Sequence, residues 1–216
     1  MRQEILFANK QGNQFIKIQQ ITRLTDALYS LPMSMNRSQL RDSLSFHQLA
    51  SKQWLMTKFM QFDSQFRNVK QIHHLGSWHG LLSAWISEHL DNGCVTNLVE
   101  PDKIALDLSS HVHYGLNKKC FNTSAEEYTS DKTNNVSVDH LVLNTSCEHM
   151  SKDWFDNLPM GTHIVAQSTN SEADGHINTQ ESLGSFAEQL PMATVTYAGI
   201  LKMDSYNSRF MLIGTK

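Results

Sequence analysis

The sequence predicts an α/β fold: one mostly parallel sheet between two layers of helices, closed by a C-terminal antiparallel β-hairpin and preceded by an N-terminal helical extension. Three observations carry this. Residues 69–90 read as strand, glycine turn and helix; strands and helices then alternate as far as residue 190; and two apolar strands joined by a polar turn end the chain. Alternation of this kind is the pattern of a three-layer, Rossmann-like domain.

The first third has helical spacing only. Ile18, Ile21, Leu24, Ala27, Leu28 and Leu31 recur at helix intervals from Phe15 to Leu31, and Pro32 stops that run. Leu40 to Phe62 reads as a second, longer helix with Leu44, Phe46, Leu49, Trp54, Leu55 and Phe59 on its apolar side. No strand pattern occurs before residue 68. Residues 1–67 are therefore expected to form a helical extension or lid, and residues 68–216 the sheet domain. Lys52 and Trp54 are the side chains of the extension suited to a pocket wall.

The opening unit of the sheet domain is the most informative stretch. Val69 to Leu75 is a short strand, Gly76-Ser-Trp-His-Gly80 a tight turn, and Leu81 to Leu90 a helix with apolar residues at packing intervals. The first glycine permits a sharp turn, the second lets a ligand approach the backbone, and the helix start offers free N–H groups to a nucleotide. An ordinary strand-to-helix turn has the same outline. The next unit of the chain favours the nucleotide. Cys94 to Glu100 is a second strand that ends on an acid, then Pro101-Asp102 and a helix with Ile104, Leu106 and Leu108. An acid about 20 residues past a glycine turn is where dinucleotide-binding folds hold a ribose.

Lys119 to Asn122 is a short third strand, and Ser124 caps the next turn with Glu126 and Glu127 near a helix start. Val136 to Leu143 is a fourth strand that runs into Asn144-Thr-Ser-Cys-Glu-His-Met150. Trp154, Phe155 and Leu158 mark a short helix, and Thr162 to Gln167 is a fifth strand. Residues 168–178 form a polar loop, and Glu181 to Leu190 a helix. Ala193 to Met203 and Ser208 to Gly214 are the hairpin strands, one of which must run antiparallel to its neighbour.

Composition narrows the function. A net charge of −3 and the lack of any basic run argue against a general nucleic-acid binder. No apolar run approaches the ~20 residues that span a bilayer, and no signal-peptide core is present. Cys94, Cys120 and Cys147 are odd in number and widely spaced, which is neither a disulfide framework nor a zinc spacing, so a cytoplasmic protein is expected.

With these motifs in this order, residues 68–216 resemble the class I S-adenosylmethionine (SAM)-dependent methyltransferases, among them small, functionally unassigned and partly phage-encoded proteins with an LGSWHG-like turn, an NTSCEHM-type segment and an RFMLIG strand. The resemblance implies SAM as cofactor. The glycine turn (Gly76, Ser77, Trp78, Gly80) would hold its methionine part, Glu100 with Pro101 its ribose, and Ala125 and Glu126 its adenine. Asn144 and Thr145, through to His149, would face the transferred group. The chain departs from the family's usual first motif, since His74 stands before Leu75-Gly76 and the middle glycine is absent. It also lacks the Asn-Pro-Pro-aromatic motif of nucleic-acid amino methylases, which points to a small molecule or a protein side chain as acceptor.

The density of polar groups in NTSCEHM singles it out, because a strand end does not need them for folding. Asn144, Glu148 and His149 are the catalytic candidates: Asn144 as acceptor from the cofactor's amino group, Glu148 as counter-charge or proton acceptor, and His149 as general base near neutral pH. The alternative is a helix start in which Ser146 or Ser151 caps and the rest is solvated. Cys147 is a poor nucleophile beside Glu148. A metal at Cys147, His149 and His163 or His176 lacks a diagnostic spacing, and none is assigned. Asn170, His176 and Asn178 are further candidates for substrate contact. Three other readings remain open: a cyclase or lyase that releases methylthioadenosine, a nicotinamide-dependent reductase, and a nucleotide-binding module without catalysis. The oligomeric state is not legible.

Overall fold

A computed structural model describes the backbone of residues 4–7 and all of residues 42–90 and 93–216. The helix expected over 15–31 lies outside the described residues. In chain order the elements are β1 (Glu4–Phe7), α1 (Phe46–Gln61), β2 (Gln71–Leu75), α2 (Leu81–Leu90), β3 (Val95–Val99), α3 (Lys103–Val112), β4 (Lys118–Phe121), α4 (Ala125–Ser130), β5 (His140–Asn144), α5 (Asp153–Asp156), β6 (His163–Thr169), α6 (Leu183–Gln189), β7 (Thr194–Lys202) and β8 (Ser208–Thr215).

The strands form one sheet in the order β1-β7-β8-β6-β5-β2-β3-β4. Pairing is parallel except for β8, which runs antiparallel to both β6 and β7. The expected α/β architecture and hairpin are therefore present. One expectation needs correction: a strand does occur before residue 68. β1 adds to the sheet edge, with Glu4 opposite Gly199 and Phe7 opposite Lys202.

The period of two along each strand sorts side chains onto two faces. Leu141, Leu143, Val165, Met211 and Ile213 pack with Trp54, Leu55 and Phe59 of α1 and Leu82, Trp85 and Ile86 of α2. Their neighbours Val142, Ile164, Ala166, Phe210 and Leu212 pack on the opposite face with Tyr128, Trp154, Phe155 and Phe186. Trp54 thus belongs to the core, where its indole N–H donates to the Tyr197 hydroxyl at 3.2 Å.

The same alternation buries two adjacent histidines of β2 on opposite faces. His140 Nδ1 accepts from the Ser137 N–H, so the His73 Nε2–H donates to it at 2.9 Å, and His73 Nδ1 is left to accept from the Tyr128 hydroxyl at 2.8 Å. His74 Nδ1 bonds the Ser83 hydroxyl at 2.8 Å, beside His113. Burial holds both rings neutral, with pKa values lowered to about 3. The Ser137–His140 turn also explains why β5 begins at residue 140 and not at the expected 136: the turn ties up Ser137 and leaves Val138 exposed.

The chain turns in opposite directions from β2, towards β3 and β4 on one side and towards β5 and β6 on the other. The carboxyl ends of β2 and β5 thus flank a topological switch point, where open α/β sheets bind ligands.

Candidate functional site

A cavity of about 640 Å³ opens at this switch point, a volume suited to a drug-sized ligand. The glycine turn forms its floor. Gly76, Trp78 and Gly80 all have positive φ (59°, 47° and 66°). For a bulky residue such as Trp78 this is a strained conformation, and strain of this kind clusters at ligand sites. Ser77 N–H donates to the Val99 carbonyl, and the Ser146 hydroxyl donates to the Gly76 carbonyl, so the turn is clamped between β3 and the segment after β5.

Gly80 lines the cavity as well, and the space its missing side chain leaves is filled from α3. A Cβ there would lie 2.2 Å from Ser109 Oγ and 2.8 Å from the His113 ring, so this glycine makes room for α3. Gly76 is the one that crowds the cavity side, where a Cβ would stand 3.1 Å from Ser146 Cβ.

Glu100 ends β3 and reaches back to the turn. Its Oε2 accepts from the Trp78 N–H at 2.8 Å and its Oε1 from the Asp102 N–H at 3.1 Å. Each oxygen keeps a lone pair for a further donor. Burial raises the Glu100 pKa, and the two N–H groups oppose that rise. Pro101 lines the cavity beside it, and the Asn122 amide fixes this corner by donating to the Glu100 and Pro101 carbonyls. Asp102 caps α3 through the N–H groups of Ile104 and Ala105.

Ala125 and Glu126 line the next wall, on α4, which Ser124 starts with a full capping box to Glu127. Glu126 Oε1 is already engaged by the Ser151 N–H at 2.9 Å, so this acid ties α4 to the loop after β5.

The polar segment after β5 divides. Thr145, Ser146, Glu148 and His149 line the cavity. Asn144 does not. It is fully buried, with Oδ1 accepting from the Ser146 N–H at 3.0 Å and Nδ2 directed at Met150 Sδ, so it shapes the turn from beneath. Cys147 is also buried away from the cavity. Burial first, and then Glu148, raises its thiol pKa well above the ordinary value, which keeps it protonated. Asn170 and Asn178 serve the backbone: Asn170 clips the β7–β8 turn, and the Asn178 amide donates to the Cys147 and Met150 carbonyls. His176 does reach the cavity. His163 lies at the opposite end of β6, edge-on to Phe66.

Two basic groups complete the site. Arg209 of β8 donates to Glu148 Oε1 at 2.6 Å, in a pair whose side chains are only 13% and 1% exposed. Lys52 of α1 sits 5.9 Å from the Trp78 ring centroid and donates to Gln48 Oε1. Burial of its ammonium, then the Arg209 charge, lowers its pKa to about 7 against an opposing pull from Asp42. Sequence reasoning misses Arg209, because a lone arginine in a hairpin strand carries no local signal.

The cavity is rich in unmet hydrogen-bonding capacity. Among the described residues, Ser77 Oγ, His74 Nε2, both ring nitrogens of His79 and Glu148 Oε2 are buried without a partner, and all of these residues line it. Buried polar atoms are normally paired, so a polar ligand is the natural partner. His79 is held neutral, its pKa lowered to about 4 by burial and by Lys52.

No protein-family model matches the sequence, and no curated protein matches it. Solved structures do. A SAM-dependent methyltransferase from Leishmania major matches with a TM-score of 0.56 at 12% identity, over 90% of this chain and 82% of that one. MtNAS in complex with MTA and tNA matches at 0.53 and 12% identity, over 90% and 69%. A SAM-dependent methyltransferase from Aquifex aeolicus matches at 0.50 and 9% identity, over 72% and 88%. At these identities the likeness is one of architecture, and the chain has the Rossmann-like fold that SAM-dependent methyltransferases share.

Proposed function

We propose that this protein is an enzyme that binds SAM and transfers its methyl group to a small molecule or a protein side chain. The observation that carries the reading is Glu100, a buried carboxylate at the end of β3 that is bonded to the glycine turn, lines the cavity and keeps acceptor capacity on both oxygens. It would accept from the ribose hydroxyls. Ser77, Trp78 and the backbone from Gly76 to Gly80 would hold the methionine part, Pro101 the ribose edge, and Ala125 and Glu126 the adenine. The orphaned Ser77 and His79 atoms fit a ligand with both donors and acceptors.

When bound, SAM supplies an electrophilic methyl group on a sulfonium. The chain's own contribution is orientation and charge. Glu148 and His149 line the end of the cavity where an acceptor would lie. Asn144 is reassigned to holding the turn that presents them. α1 contributes Gln48 and Lys52 to the opposite wall; a lid over the domain at 68–216 would have to come from the rest of residues 1–67, since β1 joins the sheet and α1 packs into its core. No described helix is long and apolar enough to cross a membrane.

A second reading rests on one observation, the likeness to a structure solved with MTA. In it the enzyme releases methylthioadenosine and transfers no methyl. SAM labelled separately on the methyl and the adenosine separates the two outcomes.

The binding test is calorimetry and thermal melting with SAM and its demethylated product. At 100 times the dissociation constant, stabilisation of about 2.7 kcal/mol is expected. Glu100→Ala should weaken binding at least about tenfold, since hydrogen bonds to a charged acceptor are worth roughly 1.5–3 kcal/mol. No heat and no melting shift with either ligand would overturn the assignment.

A further inference from the structure

We infer that Glu148, His149 and His176 form a binding site for a divalent transition-metal ion at the acceptor end of the cavity. One ligand atom from each lies within 4.8 Å of the others, although the residues come from two segments, the turn after β5 and the loop after β6. The loop is tied to the turn by the Ile177 and Asn178 N–H groups, which both donate to the Glu148 carbonyl, at 2.9 and 3.0 Å.

The hydrogen bonds around the two imidazoles point the same way. His149 Nδ1 meets the Gly175 carbonyl at 3.0 Å, and His176 Nδ1 meets the Ser171 carbonyl at 2.6 Å. A carbonyl only accepts, so both Nδ1 atoms carry the proton and both Nε2 atoms present a lone pair. This is how metal-binding histidines are oriented: one ring nitrogen donates to a backbone carbonyl and the other ligates. The rings are nearly perpendicular, with centroids 4.6 Å apart. Gly175, at φ 82°, makes the turn that aims its carbonyl at His149.

Glu148 supplies the independent observation. Its side chain is 1% exposed and Arg209 occupies Oε1, yet Oε2 is buried with no partner. A carboxylate oxygen left this way is costly unless something positive or donating meets it. Arg209 meets only half of the requirement.

Two imidazoles and one carboxylate suit zinc, iron, cobalt or nickel better than magnesium or calcium, which prefer all-oxygen sites. Three protein ligands leave coordination positions open to a further ligand, and all three residues line the cavity. The acceptor class that fits is then a small molecule with an oxygen donor able to join the ion. This last step rests on the methyltransferase reading; the ion site does not. Cys147 and His163, considered from the sequence, take no part.

The test uses the full chain, stripped by chelator and then titrated with Zn²⁺, with Mg²⁺ as control. One Zn²⁺ per chain is expected, with little response to Mg²⁺. His149→Ala and His176→Ala should each weaken Zn²⁺ binding at least about tenfold. His111→Ala, at an exposed histidine of α3, should leave it unchanged and so reports on adventitious histidine binding. Co²⁺ bound at the site should show visible bands that His176→Ala alters. His149 ends a single 3-10 turn and His176 lies on a loop, so the test does not depend on the fold tolerating a change at Glu148. Failure to bind Zn²⁺ at one per chain, or equal binding by the His149 and His176 variants, would overturn the site. Calorimetry of the SAM product on the same samples keeps the two ideas apart. Lost product binding with Zn²⁺ retained counts against the methyltransferase alone, and the reverse counts against the metal alone.

Discussion

Two walls meet across one cavity and are built by different means. The wall of residues 76–80 and Glu100 is made of backbone: a strained turn, an acid held by two N–H groups, and a helix packed into the space a glycine leaves. The wall of Glu148, His149, His176, Arg209 and Lys52 is made of long side chains drawn from four separate parts of the chain. The first has its geometry fixed by backbone dihedrals and by the hydrogen bonds that clamp the turn to Glu100, Val99 and Ser146. The second is fixed by one ion pair and the bonds that tether a loop. A backbone wall suits the part of a ligand that never changes, and a side-chain wall suits the part where charge and protons move.

The largest expected effect tests the side-chain wall. Arg209→Met leaves Glu148 buried without a counter-charge, which should cost about 3–5 kcal/mol by denaturant unfolding. That corresponds to a Tm drop on the order of 10 °C for a chain of this size. Adding Glu148→Gln should recover much of the loss. If the single and double variants unfold alike, the pair is not desolvated and the contrast between the walls is weaker than drawn.

The next effect sharpens the backbone wall. Gly80→Ala places a methyl group against Ser109 and His113 at positive φ and should destabilise by about 1–3 kcal/mol. Gly175→Ala, also at positive φ but 3.7 Å from its nearest neighbour, should fall at the lower end of that range. Equal losses, read from matched unfolding curves, would mean that backbone strain alone matters and that the packing of α3 against the turn does not.

The smallest effect is a pH slope. Lys52 has a folded pKa of about 7 against 10.5 unfolded, so the unfolded chain binds the extra proton between those values. Stability should therefore rise with pH across that window, and the cost of the buried charge is fully present below pH 7. Lys52→Met should flatten the slope and raise stability at pH 6. An unchanged profile would show that the ammonium is solvated and only borders the cavity.

The same contrast governs what is legible in the sequence. The glycine turn, Glu100, the Ser124 cap and helix α2 each declare themselves within a few residues, so spacing suffices to find them. β1 escapes because a short edge strand is defined by its partner β7 and not by its own pattern. A polar strand end invites a chemical role for Asn144; only the fold shows its amide turned inward to Met150 and Ser146. Arg209 stands 61 positions from Glu148, and nothing in either neighbourhood announces the pair. Glycine positions declare a turn without declaring what fills the space: Gly80 lines the cavity, and its missing side chain also makes room for Ser109.

The two neutral histidines of β2 set an acid limit on the whole sheet. An unfolded chain protonates both rings near pH 6.5, whereas the folded strand resists until about 3. Between those values each ring draws the equilibrium towards the unfolded chain by about 1.4 kcal/mol per pH unit. Both rings sit on β2, an interior strand of the sheet that leads into the glycine turn. Acidification therefore acts on the strand beneath the glycine turn: the element that carries one wall of the cavity is one whose burial protons oppose.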